Sequence, residues 1–173
     1  MGPPRGPDPQ PISPSLPGPP SSLPSSFPSL VPRYKESSMA GNDVFLRFSA
    51  YIKNPIPAQD EVLQKNLLKA LLKLDSYLTA PLDYELVRDP SLTVSRRRFL
   101  DGDQMTLADC GLLPKLNIVH VVCQHYRQWG VPKELRGVWR YLESAAEAKE
   151  FKYTCPNGEE IIQAYRGVVR PLQ

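Results

Sequence analysis

Metal- and disulfide-forming spacings are missing from this chain. Its three cysteines, Cys110, Cys123 and Cys155, are odd in number and form no CxxC pair, so neither a zinc site nor a closed disulfide framework is expected. Sparse, unpaired cysteine fits a reducing compartment, and a cytoplasmic or nuclear setting is expected. No glycine-rich phosphate loop, GxSxG elbow or HExxH helix occurs. A membrane span needs about 20 apolar residues. The most apolar stretch, 111–123, is interrupted by Lys115, Asn117 and His120. The N-terminus lacks the apolar segment of a signal peptide, and Gly6 stands where a myristoylation signal needs Ser or Thr. A strong excess of one charge is missing too. The net charge of +3 is too small to mark a nucleic-acid binder.

Proline is scarce where a fold could form and abundant where it could not. Twelve of the 20 prolines lie in residues 1–32. Residues 1–26 are Pro, Ser and Gly with few apolar side chains, so they read as a disordered tail that cannot offset its ordering entropy. Their P-x-x-P units, such as Pro11 to Pro14, are a shape that an SH3 or WW domain recognises. Residues 27–41 read as an extended linker, and 42–173 as an all-α domain.

The domain reading rests on helical periodicity. Phe45, Phe48 and Ile52 share one helical face, ended by Asn54-Pro55. From Asp60 to Leu78, the residues Leu63, Leu67, Ala70, Leu71, Leu74 and Leu78 form one apolar stripe. Residues 79–105 read as a long connection carrying the basic run Arg96-Arg97-Arg98. That run reads as a solvated cluster, with phosphate, acidic-partner or nuclear-import contacts as alternatives. Thr106 and Asp109 then form a capping box, with Met105 as a staple against Cys110. The following helix, to about Tyr126, is apolar on nearly every side and should be the central buried one, kinked at Pro114. Gly130 should stop it, and Pro132 should stand near the start of the next, whose core face is Leu135, Val138, Tyr141, Leu142 and Ala145. A short helix near 148–153 and a last one over 157–166 complete the pattern.

No catalytic, cofactor or metal residue emerges. Cys110 and Cys123 lie 13 residues apart on one helix, about 19–20 Å in rise, so they cannot pair. Both read as core cysteines, and Cys155 as a more exposed turn residue without a base beside it. His120 and Cys123 share a helical face, but His125 points elsewhere, which leaves too few ligands for zinc.

Several long words carry a resemblance. They are Asn42-Asp-Val-Phe-Leu-Arg-Phe-Ser-Ala-Tyr-Ile-Lys-Asn54, Phe99-Leu-Asp-Gly-Asp-Gln-Met-Thr-Leu-Ala-Asp-Cys110, Leu112-Leu-Pro-Lys-Leu116 and Phe151-Lys-Tyr-Thr-Cys-Pro156. With them, the stretch from Phe27 to the C-terminus resembles the chloride intracellular channel family, whose members look like omega-type glutathione transferases. The resemblance implies a glutathione-transferase C-terminal-like helical bundle. It implies a family role in chloride transport and glutathione-dependent redox chemistry, and association with membranes. It places the family's redox cysteine and glutathione pocket in a thioredoxin-like N-terminal domain that residues 1–26 do not match. That domain is therefore expected to be absent, glutathione to have no site in this chain, and the bundle to act as a non-catalytic interaction or folding module for protein partners. Retained oxidoreductase or channel activity is the alternative. The family's basic import-like segment reads here as Gln124-His-Tyr-Arg127, with a single fixed positive charge.

Overall fold

The computed structural model describes residues 2–3, 30–148 and 156–170. The tail with its P-x-x-P units, the short helix expected near 148–153 and Cys155 therefore fall largely or wholly outside the described residues. Within them the chain is all-helical, with seven helices: α1 (Lys35–Met39), α2 (Asn42–Ile52), α3 (Pro57–Thr79), α4 (Asp83–Arg88), α5 (Leu107–Arg127), α6 (Arg136–Glu147) and α7 (Gly158–Tyr165).

The apolar stripes meet as their spacing requires. Phe48 and Ile52 of α2, Leu67, Leu71, Leu74 and Leu78 of α3, and Leu113, Leu116, Val119 and Val122 of α5 are buried in one core. Leu135, the N-cap residue of α6, and Val138, Tyr141 and Ala145 within it close the core. Helix α5 packs against α1, α2, α6 and α7, so it is the centre of the bundle. The helix continues through Pro114.

The helix ends show how the bundle is held. Asn54 links α2 to α3: its Oδ1 accepts from the Ile56 amide at 3.1 Å, and its Nδ2 donates to the Ile56 carbonyl at 2.8 Å. Pro57 then opens α3, where a missing N–H costs nothing. Helix α6 has no cap on its own N-cap residue; Asp75 of α3 supplies one by accepting from the Val138 amide at 3.1 Å. The two helices can approach that closely because residue 137 is glycine. A Cβ there would come within 2.8 Å of the Thr79 methyl and 2.9 Å of Asp75 Oδ1.

Four local expectations are corrected. The linker 27–41 is not extended throughout, because residues 35–39 form α1, and Asp101 holds the lead-in to it by accepting the Arg33 and Tyr34 amides at 2.6 and 2.9 Å. The connection 79–105 contains α4, whose first turn is closed by Glu85 accepting from the Leu82 amide at 2.7 Å. Helix α5 is stopped before Gly130, at its C-cap Gln128, which takes the left-handed conformation (φ 52°). Gly130 is needed for space instead, since a Cβ would meet Gln124 Oε1 at 2.8 Å and His120 Cε1 at 2.9 Å. Pro132 opens a turn before α6 rather than the helix itself, and the Leu135 amide donates to its carbonyl at 3.1 Å.

Candidate functional site

Residues 79–105 and the start of α5 bring together most of the buried polar groups. The run Arg96-Arg97-Arg98 splits three ways. Arg96 is exposed. Arg98 is partly exposed, stacks on Phe99 and reaches Glu147 at 3.5 Å. Arg97 is not solvated: it is only 2% exposed, the largest fully buried side chain described. Its Nε donates to the Leu100 carbonyl at 3.0 Å and its Nη1 to the Ala80 carbonyl at 2.7 Å. Its Nη2 donates to the Tyr77 carbonyl, and its guanidinium lies over the Tyr77 ring.

A second arginine serves the same helix end. Arg140 of α6 donates to the Leu78 carbonyl at 2.6 Å and to the Ser95 carbonyl. The last carbonyls of α3 thus face two guanidinium groups, which also match the negative end of the helix dipole. Burial, followed by the neighbouring Arg97, lowers the Arg140 pKa from its ordinary value. Glu85 supplies countercharge: its Oε2 lies 3.3 Å from Arg97 Nη1, and its Oε1 accepts from the Ser95 hydroxyl at 2.6 Å. Burial alone would raise the Glu85 carboxyl, but the Leu82 amide, the Ser95 hydroxyl and Arg97 together hold it below the usual range.

Thr106 and Asp109 stand at the start of α5. Asp109 Oδ2 accepts from the Thr106 amide at 2.9 Å and from its hydroxyl at 3.3 Å. Asp109 is wholly buried, and its Oδ1 also accepts from the Leu100 amide at 3.1 Å and the Tyr141 hydroxyl at 2.7 Å. Burial, reinforced by the Asp109 charge, holds the Tyr141 hydroxyl well above its ordinary pKa. Sequence spacing pointed to the Thr106–Asp109 pair, but no local signal links Asp109 to Leu100 or Tyr141. Arg97, Arg140 and Asp109 thus tie the end of α3, the start of α5 and α6 to the connection between them, while Arg140 Nε is buried without a hydrogen-bond partner.

The thiols diverge from expectation. Cys123 is buried, and burial pushes its thiol up to about 12. Cys110 is exposed rather than in the core, because it lies on the outward side of the first turn of α5. It lines a cleft of about 380 Å³ with Arg98, Met105 and Glu147. His120 accepts from the Val131 amide through Nδ1 at 3.2 Å and meets Trp139 edge-on at 5.0 Å, so its ring is used to hang the α5–α6 connection. Among the described residues no group of three His, Cys, Asp or Glu side chains is placed to hold a metal ion. No helix among them is long and apolar enough to cross a membrane.

Comparison with known proteins agrees with this architecture. Residues 56–144 match the family of the glutathione S-transferase C-terminal domain. Chloride intracellular channel protein 3 of Homo sapiens is 66% identical over 148 residues, which are 86% of this chain and 63% of that protein. The Mus musculus protein of the same name is 62% identical over 148 residues, covering 86% and 62%. The chain therefore spans less than two thirds of the length of these relatives. Among solved structures, dehydroascorbate reductase of Chlamydomonas reinhardtii superposes with a TM-score of 0.64 at 22% identity, over 83% of this chain and 60% of that one. The CLIC homologue EXC-4 of C. elegans superposes with a TM-score of 0.53 at 22% identity, over 76% of this chain and 45% of that one. Both structural likenesses bear on the fold alone. With a family match across the helical core and long identity to two chloride intracellular channel proteins, the chain belongs to the glutathione S-transferase C-terminal-domain family, in its chloride intracellular channel branch.

Proposed function

We propose that residues 30–170 are the folding and protein-interaction module of a chloride intracellular channel protein and perform no reaction of their own. The observation that carries this reading is the commitment of the buried Arg97 and Asp109 to main-chain partners. Arg97 serves the Tyr77, Ala80 and Leu100 carbonyls, and Asp109 serves the Leu100 and Thr106 amides. Groups so enclosed are held away from any substrate, and the buried Cys123 thiol stays protonated at neutral pH. An interaction role is supported by exposed apolar side chains beside the start of α5. Leu30, Val31 and Leu107 are about half exposed, and the Leu107 amide donates to the Leu30 carbonyl, so they are neighbours.

A second reading is favoured by the names of the relatives: chloride conduction in a membrane form, or glutathione-dependent thiol chemistry. The exposed Cys110 is the one described thiol open to it. The purified chain separates the readings. Helicity is followed by far-ultraviolet circular dichroism, thiol transfer from glutathione by a coupled assay, and chloride efflux from loaded vesicles. A helical spectrum without turnover or efflux above background is expected. Turnover that disappears in Cys110→Ser, or efflux that scales with protein, overturns the non-catalytic reading.

A further inference from the structure

We propose that the cleft between α4 and residues 101–106 binds a doubly charged oxyanion, a phosphate monoester or a dicarboxylate, gripped by Arg33 and Arg88. The cleft has a volume of about 800 Å³ and is lined by Val31, Arg33, Tyr84, Arg88, Gly102 and Gln104, among others. That is room for a small organic anion. Its polar equipment is two guanidinium groups on one aromatic ring. Arg33 lies 4.5 Å and Arg88 5.5 Å from the Tyr84 ring centroid.

Neither cation is held in an ion pair among the described residues. The ion pairs among the described residues join Lys65 to Glu61, Lys73 to Asp43, Arg97 to Glu85, Arg98 to Glu147 and Arg127 to Asp60. None includes Arg33 or Arg88. The carboxylates lining the cleft are Asp101 and Asp103, and both are partly occupied. Asp101 is buried and accepts the Arg33 and Tyr34 amides and the Ser37 hydroxyl at 2.6, 2.9 and 2.9 Å. Asp103 Oδ1 accepts from the Arg98 amide at 3.2 Å.

The platform under the cations is held in place. The Tyr84 amide donates to the Tyr34 hydroxyl at 3.1 Å, and the Tyr84 hydroxyl sits where a Cβ on Gly102 would be 3.1 Å away. Tyr84 is uncharged at neutral pH, as a tyrosine ordinarily is, and burial raises its hydroxyl further. Backbone anchors hold both arginines: the Arg33 amide is clamped by Asp101, and Arg88 is in the last turn of α4. A ligand would thus order only the outer parts of two side chains. Each guanidinium offers a planar fork that matches two oxygens of a carboxylate or phosphate. Two forks and two positive charges match an anion with two charges, whereas one fork suffices for a monocarboxylate.

The test uses the full chain, titrated with phenyl phosphate, malonate and acetate at constant ionic strength and followed calorimetrically. One dianion is expected to saturate a single site at least about tenfold more tightly than acetate, the difference of one charge-assisted contact. Tighter binding of phenyl phosphate assigns the phosphate monoester, and tighter binding of malonate the dicarboxylate. Arg33→Gln and Arg88→Gln should each weaken that binding, and the double variant should abolish it, while Arg136→Gln leaves it unchanged. A readout that needs no substitution is the Nε–H resonance of each arginine in the unaltered chain. Those of Arg33 and Arg88 should shift on titration while that of the enclosed Arg97 stays. Absence of saturable dianion binding, equal affinity in a folded double variant, or shifts confined to other arginines overturns the proposal.

Discussion

The Tyr141 hydroxyl donates to Asp109 Oδ1 at 2.7 Å, so the core face of α6 is bonded to the residue that caps α5. The same carboxylate accepts the Leu100 and Thr106 amides. One buried side chain therefore joins the connection 79–105, the central helix and α6. Loss of a simple exposed cap costs about 0.5–2 kcal/mol. Asp109→Ala should exceed that, because it strands three buried donors at about 1–3 kcal/mol each. A destabilisation above about 3 kcal/mol is expected from urea unfolding. Tyr141→Phe, which removes one bond to the carboxylate, should cost about 1.5–3 kcal/mol. An Asp109→Ala midpoint close to that of the unaltered chain would show that the network does not form in solution.

Arg97 gives a second prediction. Lysine keeps the charge but cannot reach the Tyr77, Ala80 and Leu100 carbonyls and Glu85 at once. Arg97→Leu leaves those groups unpartnered and Glu85 buried without its cation, and should cost about 3–5 kcal/mol. Arg97→Lys should fall between this and the unaltered chain. Arg96→Leu, on an exposed neighbour, should shift stability by no more than about 0.5 kcal/mol. Equal effects at 96 and 97 in thermal unfolding would return the whole run to the solvent.

The contrast between these two arginines shows what the sequence reveals and what it conceals. The stripe Leu67, Leu71, Leu74, Leu78 and the Thr106–Asp109 spacing are local periodicities, and the helices they imply are present. Arg97 belongs to a run of three arginines, which locally looks like a solvated cluster. Its burial follows from carbonyls 17 and 20 residues upstream, at the end of α3. The cap of α6 is likewise supplied by Asp75, 63 residues before the amide it accepts. Gly130 looks like a helix stop, yet its requirement is the space beside His120 and Gln124. Each of these depends on tertiary approach, which hydrophobic spacing does not encode.

His120 makes stability depend on pH. Its Nδ1 accepts the Val131 amide, so it must be unprotonated there, and burial lowers its pKa from 6.5. The unfolded chain then binds the proton more readily than the folded one. Stability is full above about pH 6.5 and falls as pH drops from there through the folded pKa. The melting temperature of the unaltered chain should decline between pH 7.5 and 5.5. In His120→Asn the decline over that interval should largely vanish, from a lower starting value. A slope that survives in His120→Asn assigns the dependence to another group.

Two glycines with opposite surroundings give the last prediction. Gly137 lies where α6 crosses α3, and an added Cβ would meet the Thr79 methyl at 2.8 Å, Asp75 Oδ1 at 2.9 Å and the Asp75 carbonyl at 3.1 Å. The backbone carbonyl cannot swing aside. Relieving the clash by moving Asp75 would also release the Val138 amide it caps. Gly137→Ala should therefore cost about 1–3 kcal/mol from overpacking, with the lost cap in addition. Gly111 lies inside α5, is exposed, and has nothing within 4 Å of an added Cβ. There alanine relieves only the helix penalty of glycine, so Gly111→Ala should stabilise by about 0.5–1 kcal/mol. Paired unfolding curves decide the matter. Opposite shifts are expected, and a stabilising Gly137→Ala would mean that α6 stands farther from α3 than Asp75 and Val138 require.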